Sequence, residues 1–282
     1  MSRLFRRLLC LCLVLPLLSC ALPKARADGT APLSVRIYVD GLLRLHGYDR
    51  AGTLFLSAED VCTLFAIPFE AERTADGYTL RLRGWELSAP AGKEVFTADG
   101  RYLYCPEGFG EWDGRVCFPA DLIERLFGLR IRFDGQRADV DTSRFQLLRG
   151  GEEYYAVHFH PDDLYWLSHI IYSEADREPL AGMIGVGNVV LNRVANESFP
   201  PTVMAVVLDK ENRIQFSPVE TGGVLADPDE TSVIAACLVL EGYNTVGGSL
   251  YYVNPDLADD SWFREALVPT VTIGHHHFYT EG

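Results

Sequence analysis

Glu174 is the carboxylate whose position speaks most directly of chemistry. It continues the apolar stripe of Leu164, Leu167, Ile170 and Ile171, four residues after Ile170 and seven after Leu167. On a helix it therefore shares the buried face. Among Trp166, Ile170 and Tyr172, desolvation of the charged form would raise its pKa. A carboxyl held protonated near neutrality is the general acid that glycosidic cleavage needs. The alternative is a glutamate at a helix end, facing solvent. Glu178 stands four residues further on and is a candidate second carboxylate for hydrolysis, as is Asp176, although Pro179 interrupts the helix that would align Glu174 with Glu178.

The histidines offer a different chemistry. His275 and His277 share one strand face, and His158-Phe159-His160 supplies a second such pair. A catalytic zinc needs about three protein ligands converging on an open site. These pairs flank the two ends of one segment, and no CxxC or Cys/His zinc spacing is present. A zinc-dependent amidase acting on peptide stems is therefore a rival reading, and the expectation is that the site holds no metal and needs no cofactor.

The elements that position these groups form two modules. From Leu33 to about Asp141 the chain reads as short strands and turns interrupted by two helices. Leu54-Phe55-Leu56 leads into Ser57-Ala58-Glu59-Asp60, an N-cap with an acid following, and then the stripe Val61, Leu64, Phe65. About 60 residues later Val116-Cys117-Phe118 leads into Pro119-Ala120-Asp121 and the stripe Leu122, Ile123, Leu126, Phe127, a weak duplication of a strand–helix–strand unit. Residues 142–155 read as a linker with Gly150-Gly151 as its flexible point. Cys105 and Cys117 bracket a turn-rich segment where two strands could face each other and a disulfide could form; Cys62 and Cys237 read as core.

The second module, residues 156–282, begins with helices. Pro161-Asp162-Asp163 opens the first, with acids in its first turn. The second runs from about Leu180 to Val194; its Gly182, Gly185 and Gly187 weaken the helix and predict close approach of a neighbouring helix. Pro201 begins a third, and Asp227-Pro228-Asp229-Glu230 caps a fourth that ends near Gly242. Strand patterns close the chain at Leu250–Val253 and Val271–Ile273. Helices first and a small sheet after make an α+β domain.

The beginning of the chain predicts export. Met1 to Arg7 is basic, and Leu8 to Leu18 is an apolar run too short to span a bilayer comfortably. It ends either at Leu17-Leu18-Ser19-Cys20, which resembles a lipoprotein cleavage box and would give a membrane lipid anchor, or at Ala25-Arg26-Ala27, a small-x-small cleavage site. Residues 1–27 hold five basic and no acidic residues, so their removal takes the formal charge from −14 to −19. Such a chain is repelled by phosphate backbones, which argues against nucleic-acid binding. The 48% hydrophobic and 23% charged content excludes wholesale disorder and a multi-span membrane protein.

Residues 33–141 resemble the small repeat domain named after the N-terminal domain of copper amine oxidases, which implies wall attachment, spacing or protein contact. Tyr172-Ser173-Glu174-Ala175-Asp176-Arg177-Glu178-Pro179 resembles the signature of the SleB/CwlJ-type cell-wall hydrolases, the spore cortex-lytic enzymes. Further blocks match in order: Val189 to Val194, Phe199-Pro200 with Thr202-Val203, Gln215-Phe216-Ser217, Gly248 to Pro255, and Ile273 to Tyr279.

This second resemblance runs from Leu164 to Tyr279 and implies a lysozyme-like domain that cleaves peptidoglycan glycan strands. It gives the catalytic role to Glu174 alone, as in lytic transglycosylation, and places Gln215, Tyr252, Asn254 and His276 as candidates for substrate binding. A structural histidine is the other reading of His276. Asp176-Arg177 departs from the small or basic pair expected between the two glutamates. An exported wall-binding protein without catalysis is the remaining alternative.

Overall fold

The computed structural model describes residues 31–209, 223–258 and 260–282. The export segment with Cys20, and Gln215, lie outside the described residues.

The N-terminal strands form two sheets over one core. Strands β1 (Leu33–Val39), β2 (Leu42–Arg50) and β3 (Thr53–Ser57) are followed by helix α1 (Ala58–Leu64). Five antiparallel strands come next: β4 (Phe69–Thr74), β5 (Gly77–Leu82), β6 (Trp85–Pro90), β7 (Val95–Ala98) and β8 (Arg101–Tyr104). The chain then returns to the first sheet through β9 (Gly110–Trp112), β10 (Arg115–Pro119), helix α2 (Ala120–Phe127), β11 (Arg130–Phe133) and β12 (Arg137–Asp141). That sheet has the order β11-β12-β1-β2-β3-β10-β9, and β1 and β12 are its parallel pair.

The repeat seen in the sequence is visible in space. β3 leads into α1 as β10 leads into α2, and the two strands pair antiparallel with Leu56 opposite Phe118. The strands after the two helices part ways: β4 enters the five-stranded sheet and β11 the seven-stranded one. Apolar residues of both sheets and both helices, among them Leu56, Leu80, Phe96, Phe118 and Phe127, form one buried cluster.

The facing-strand expectation for Cys105 and Cys117 fails. Cys105 comes just after β8 and Cys117 lies on β10, so the strands bracketing the turn belong to different sheets. Both thiols are free and buried. Residues 142–148 lie along the N-terminal core: Phe145 stacks on Phe65 at 3.9 Å, and the Trp85 indole N–H donates to the Leu148 carbonyl at 2.8 Å.

The second half is α+β. Helix α3 (Tyr154–His158) precedes α4 (Pro161–Ala175), α5 (Leu180–Val194), α6 (Val203–Val207) and α7 (Glu230–Leu240). Next come strand β13 (Tyr251–Val253), helix α8 (Ser261–Ala266), β14 (Val268–Ile273) and β15 (His276–Thr280), and the three strands form an antiparallel sheet in the order β13-β15-β14. Helix α4 starts where its first turn predicts, with His160 as N-cap accepting from the Asp162 N–H at 3.2 Å and Pro161 at N1. Asp229 caps α7 by accepting from the Ser232 N–H at 2.7 Å.

The glycines of α5 answer to more than a helix. A Cβ at Gly187 would lie 2.7 Å from Val239 Cγ2 on α7 and 3.0 Å from Ile171 Cδ1 on α4, which is the close helix approach the sequence predicts. At Gly185 the neighbours are instead Val246 and Phe278, so there the sheet and its preceding loop press on the helix. Gly187→Ala should therefore destabilise the protein by about 1–3 kcal/mol despite alanine's better helix propensity, because branched side chains in a dry core cannot yield cheaply. Chemical denaturation of the variant measures this; a stabilised variant would show the contact is slack.

Candidate active site

Glu174 occupies the last turn of α4, held there by Leu167, Ile170, Ile171 and Ala175, all buried. Its Oε2 accepts a hydrogen bond from the Tyr252 hydroxyl at 3.0 Å. Its Oε1 is buried and makes no hydrogen bond among the described residues. Ionising this carboxyl leaves charge on a desolvated oxygen. Burial accordingly pushes its pKa up to about 7, with the Tyr252 hydrogen bond and the nearby Arg193 charge pulling the other way. The group is thus divided between acid and base near neutral pH.

Tyr252 sits at the middle of β13, with Tyr251 beside it on the opposite face. Only Tyr252 reaches Glu174; the Tyr251 hydroxyl donates to Glu281 at 3.0 Å. Burial, with the Glu174 charge adding to it, drives the Tyr252 phenol well above its ordinary pKa, so it stays a donor. His276, at the start of β15, packs its ring 4.9 Å from that of Tyr252. It is 5% exposed, and its Nδ1 is buried without a hydrogen bond among the described residues. Burial lowers its pKa, which the Glu178 charge opposes, and the ring is neutral at pH 7.

The loop that carries Tyr252 is clamped to α5. Asn188 Nδ2 donates to the Tyr243 carbonyl, and Asn188 Oδ1 accepts from the Thr245 N–H. Asn192 Nδ2 donates to the Gly247 and Ser249 carbonyls, both at 2.8 Å. Arg193 Nε donates to the Leu250 carbonyl at 2.8 Å, immediately before β13. Arg193 is 2% exposed, and its guanidinium lies 5.3 Å from the Phe199 ring and 5.6 Å from the Tyr251 ring. It was not among the sequence-derived site residues, yet its charge acts on Glu174. Its signal was available: Asn188, Asn192 and Arg193 are polar residues in an otherwise apolar helix.

Glu178 meets the β14–β15 turn. Its Oε2 accepts the His275 backbone N–H at 2.9 Å, and its Oε1 lies 3.0 Å from His275 Nδ1. It braces the β14–β15 turn, where Gly274 has φ +58°, and a Cβ there would collide with the Glu178 carboxylate. Asp176 is the exposed C-cap of α4. Asn254 shapes the turn after β13: its Oδ1 accepts from the Asp256 N–H at 3.0 Å, and its carbonyl accepts from Leu257 and Ala258. Among the described residues, no group of three or more His, Cys, Asp or Glu side chains is arranged to hold a metal ion. His158 bonds the Tyr154 carbonyl, and His160 caps α4.

Tyr252→Phe should shift the titration of Glu174 to higher pH, because it removes a hydrogen bond that favours the ionised form. The Glu174 carboxyl can be followed by infrared difference titration against Glu174→Gln; an unmoved midpoint would mean that the hydroxyl contributes nothing to its ionisation.

Comparison with known proteins converges on this half of the chain. The cell wall hydrolase family matches residues 177–279, a stretch that begins three residues after Glu174. A spore cortex-lytic enzyme of Bacillus cereus is 35% identical over 101 residues, which are 36% of this chain and 38% of that protein. One from Halalkalibacterium halodurans is also 35% identical over 101 residues, 30% of its length. The chain thus spans under two fifths of the curated relatives it matches. Among solved structures, the catalytic domain of the germination-specific lytic transglycosylase SleB from Bacillus anthracis is 31% identical, covering 44% of this chain and 98% of that one, with a TM-score of 0.40. The catalytic domain of the Bacillus cereus SleB protein is 32% identical, covering 44% and 94%, also with a TM-score of 0.40. Residues 177–279 of this chain are thus similar to the cell wall hydrolase family.

Proposed function

We propose that this protein cleaves the glycan strand of peptidoglycan as a lytic transglycosylase with Glu174 as its acid and base. The observation that carries this is a carboxyl with one oxygen on the Tyr252 hydroxyl, the other buried and unbonded, and a pKa near 7. Protonated, Glu174 gives its proton to the glycosidic oxygen between N-acetylmuramic acid and N-acetylglucosamine as the C1–O bond breaks. Ionised, it takes the proton of the muramic 6-hydroxyl as that oxygen bonds to C1, closing a 1,6-anhydro ring and restoring the acid. Tyr252 and Arg193 favour the carboxylate between the two proton transfers. The usual two-carboxylate arrangement is not needed, which fits Glu178 being engaged with His275 and Asp176 facing solvent.

In this reading Gln215, Tyr252, Asn254 and His276 contact the sugar chain, and His276 does so as a neutral ring. The relatives' names point to spore cortex, and cortex or vegetative wall is the substrate class. The protein acts outside the cytoplasm, released after Ala27 or anchored at Cys20, and residues 33–141 contact the wall or another protein. Mass spectrometry of the muropeptides released from purified peptidoglycan and from cortex tests the proposal. Anhydro-muramic ends support it; reducing muramic ends would show hydrolysis, and intact glycan with both substrates would overturn it.

A further inference from the structure

Between the N-terminal strands and the start of the C-terminal helices lies an open cleft of about 510 Å³, a volume typical of small-ligand sites. It shares no residue with the Glu174 site. Its walls carry Arg101, Arg125, Arg130, Arg144, Arg149 and His158, and no Asp or Glu lines it. The chain as a whole has a formal charge of −14, so this convergence runs against its composition.

The charge here is not all compensated. Arg101 and Arg125 meet Glu241, whose side chain is 3% exposed beneath them. Arg130 stands opposite Asp141 in the β11–β12 register. Arg144 and Arg149 are exposed and make no ion pair among the described residues. The frame that holds them is rigid. The Gln146 and Leu148 N–H groups donate to the Phe127 and Leu126 carbonyls, pinning this segment to the end of α2. Arg101 lies 4.3 Å over the Tyr154 ring and donates to the Arg149 carbonyl at 3.1 Å, and Arg125 lies 4.1 Å over the Tyr243 ring.

The geometry points to a binding site for a phosphate-bearing anion of two or more charges, either free or repeated along a phosphodiester chain. Guanidinium forks match phosphate oxygens in bidentate pairs. Two uncompensated arginines call for two negative charges, where a single carboxylate would leave one unmatched. The acidic remainder of the chain does not prevent this, because charges more than about 8 Å apart are largely screened at physiological salt. The site would tether the N-terminal module to an anionic polymer, and its existence does not depend on the reading of Glu174.

Calorimetric titration of the chain from Asp28 onward with inorganic pyrophosphate, and separately with synthetic poly(glycerol phosphate), tests it. R144Q/R149Q should weaken binding about tenfold or more, while R36Q/R44Q, which removes the same charge from β1 and β2, should leave it within about twofold. Binding of pyrophosphate identifies the free group as sufficient; binding of the polymer alone identifies the repeated one. No binding of either, or equal binding by R144Q/R149Q, overturns the proposal. A second measurement needs no variant: bound anion should protect Arg144 and Arg149 of the unmodified protein from phenylglyoxal, read by peptide mass spectrometry, and unprotected arginines at saturating anion would equally overturn it.

Discussion

Glu174→Gln is expected to reduce glycan cleavage about a thousandfold while making the protein more stable at alkaline pH. The activity loss comes from removing a proton donor and acceptor, a contribution of roughly 10²–10⁴ in rate. Glutamine keeps the shape and can still accept from Tyr252, so the fold survives. The stability gain is a matter of linkage. The carboxyl has a folded pKa of about 7 against an ordinary 4.5, so between those values the folded chain holds a proton that the unfolded chain has released. The folded state is then progressively disfavoured as pH rises from 4.5 to 7, by up to about 3 kcal/mol, and the cost stays constant above that.

Glutamine does not ionise, so the difference in stability between variant and wild type should grow across that window in the variant's favour. Urea unfolding at pH 4.5, 6 and 8 reads the growth directly and is insensitive to any constant offset from the substitution itself. Wild-type kcat/KM should fall as pH rises through about 7, since the free enzyme must carry the proton. A variant within tenfold of wild-type activity would remove Glu174 from the chemistry. A stability difference that stays flat with pH would show that the carboxyl is solvated in the folded state. The two failures are independent: the first concerns catalysis, the second the burial that makes it plausible.

The desolvated setting of Glu174 was legible because it is written locally. Positions i−4 and i−7 are apolar, α4 has its Pro and acids in the first turn, and a helix converts that spacing into a shared face. The cap of α7 at Asp229 and the alternation of β13 were readable for the same reason. Arg193 was overlooked because its importance lies in what it reaches, the Leu250 carbonyl 57 positions away. Glu178 is a candidate second carboxylate by its spacing from Glu174 across Pro179, and spacing says nothing of its partner His275, 97 residues distant. Periodicity reports which face is buried and is silent about what covers it.

The same limit explains the cysteines. A short turn between two strand-like segments implies pairing, yet β8 ends one sheet and β10 lies in another. Helix α8 is only six residues long and none of its residues is buried, so its pattern is too short to announce it. The glycines of α5 predict close approach of a helix, which holds at Gly187, whereas Val246 and Phe278 approach Gly185, because topology decides which element covers a helix face.

The ion pair furthest apart in sequence among the described residues carries the second large expectation. Arg101→Ala should cost about 3–5 kcal/mol, because it strands a buried charge. Glu241 is the C-cap of α7, where the helix dipole already disfavours a carboxylate. Its side chain is 3% exposed, and the Arg101 fork, 140 residues away in sequence, binds both of its oxygens, with Nε to Oε1 at 2.9 Å. Arg125 Nη1 is 4.0 Å from Oε2 and donates chiefly to the Glu241 carbonyl at 3.1 Å, so it cannot replace the lost pair. Lysine at position 101 should recover only part of the loss, since a point charge lacks the planar fork. The double variant Arg101→Met with Glu241→Leu should be closer to wild type than Arg101→Ala, since it removes both charges and leaves neither unpaired. Thermal unfolding of the set decides the matter: a fall of roughly 6–20 °C for Arg101→Ala is expected for a chain of this size, and a change below about 1 °C would mean that Glu241 finds solvent once Arg101 is gone. Because Arg101 belongs to β8 and Glu241 to the end of α7, a large effect also means that the two halves of the chain unfold as coupled parts, and that the N-terminal strands help hold the helix bundle on which Glu174 depends.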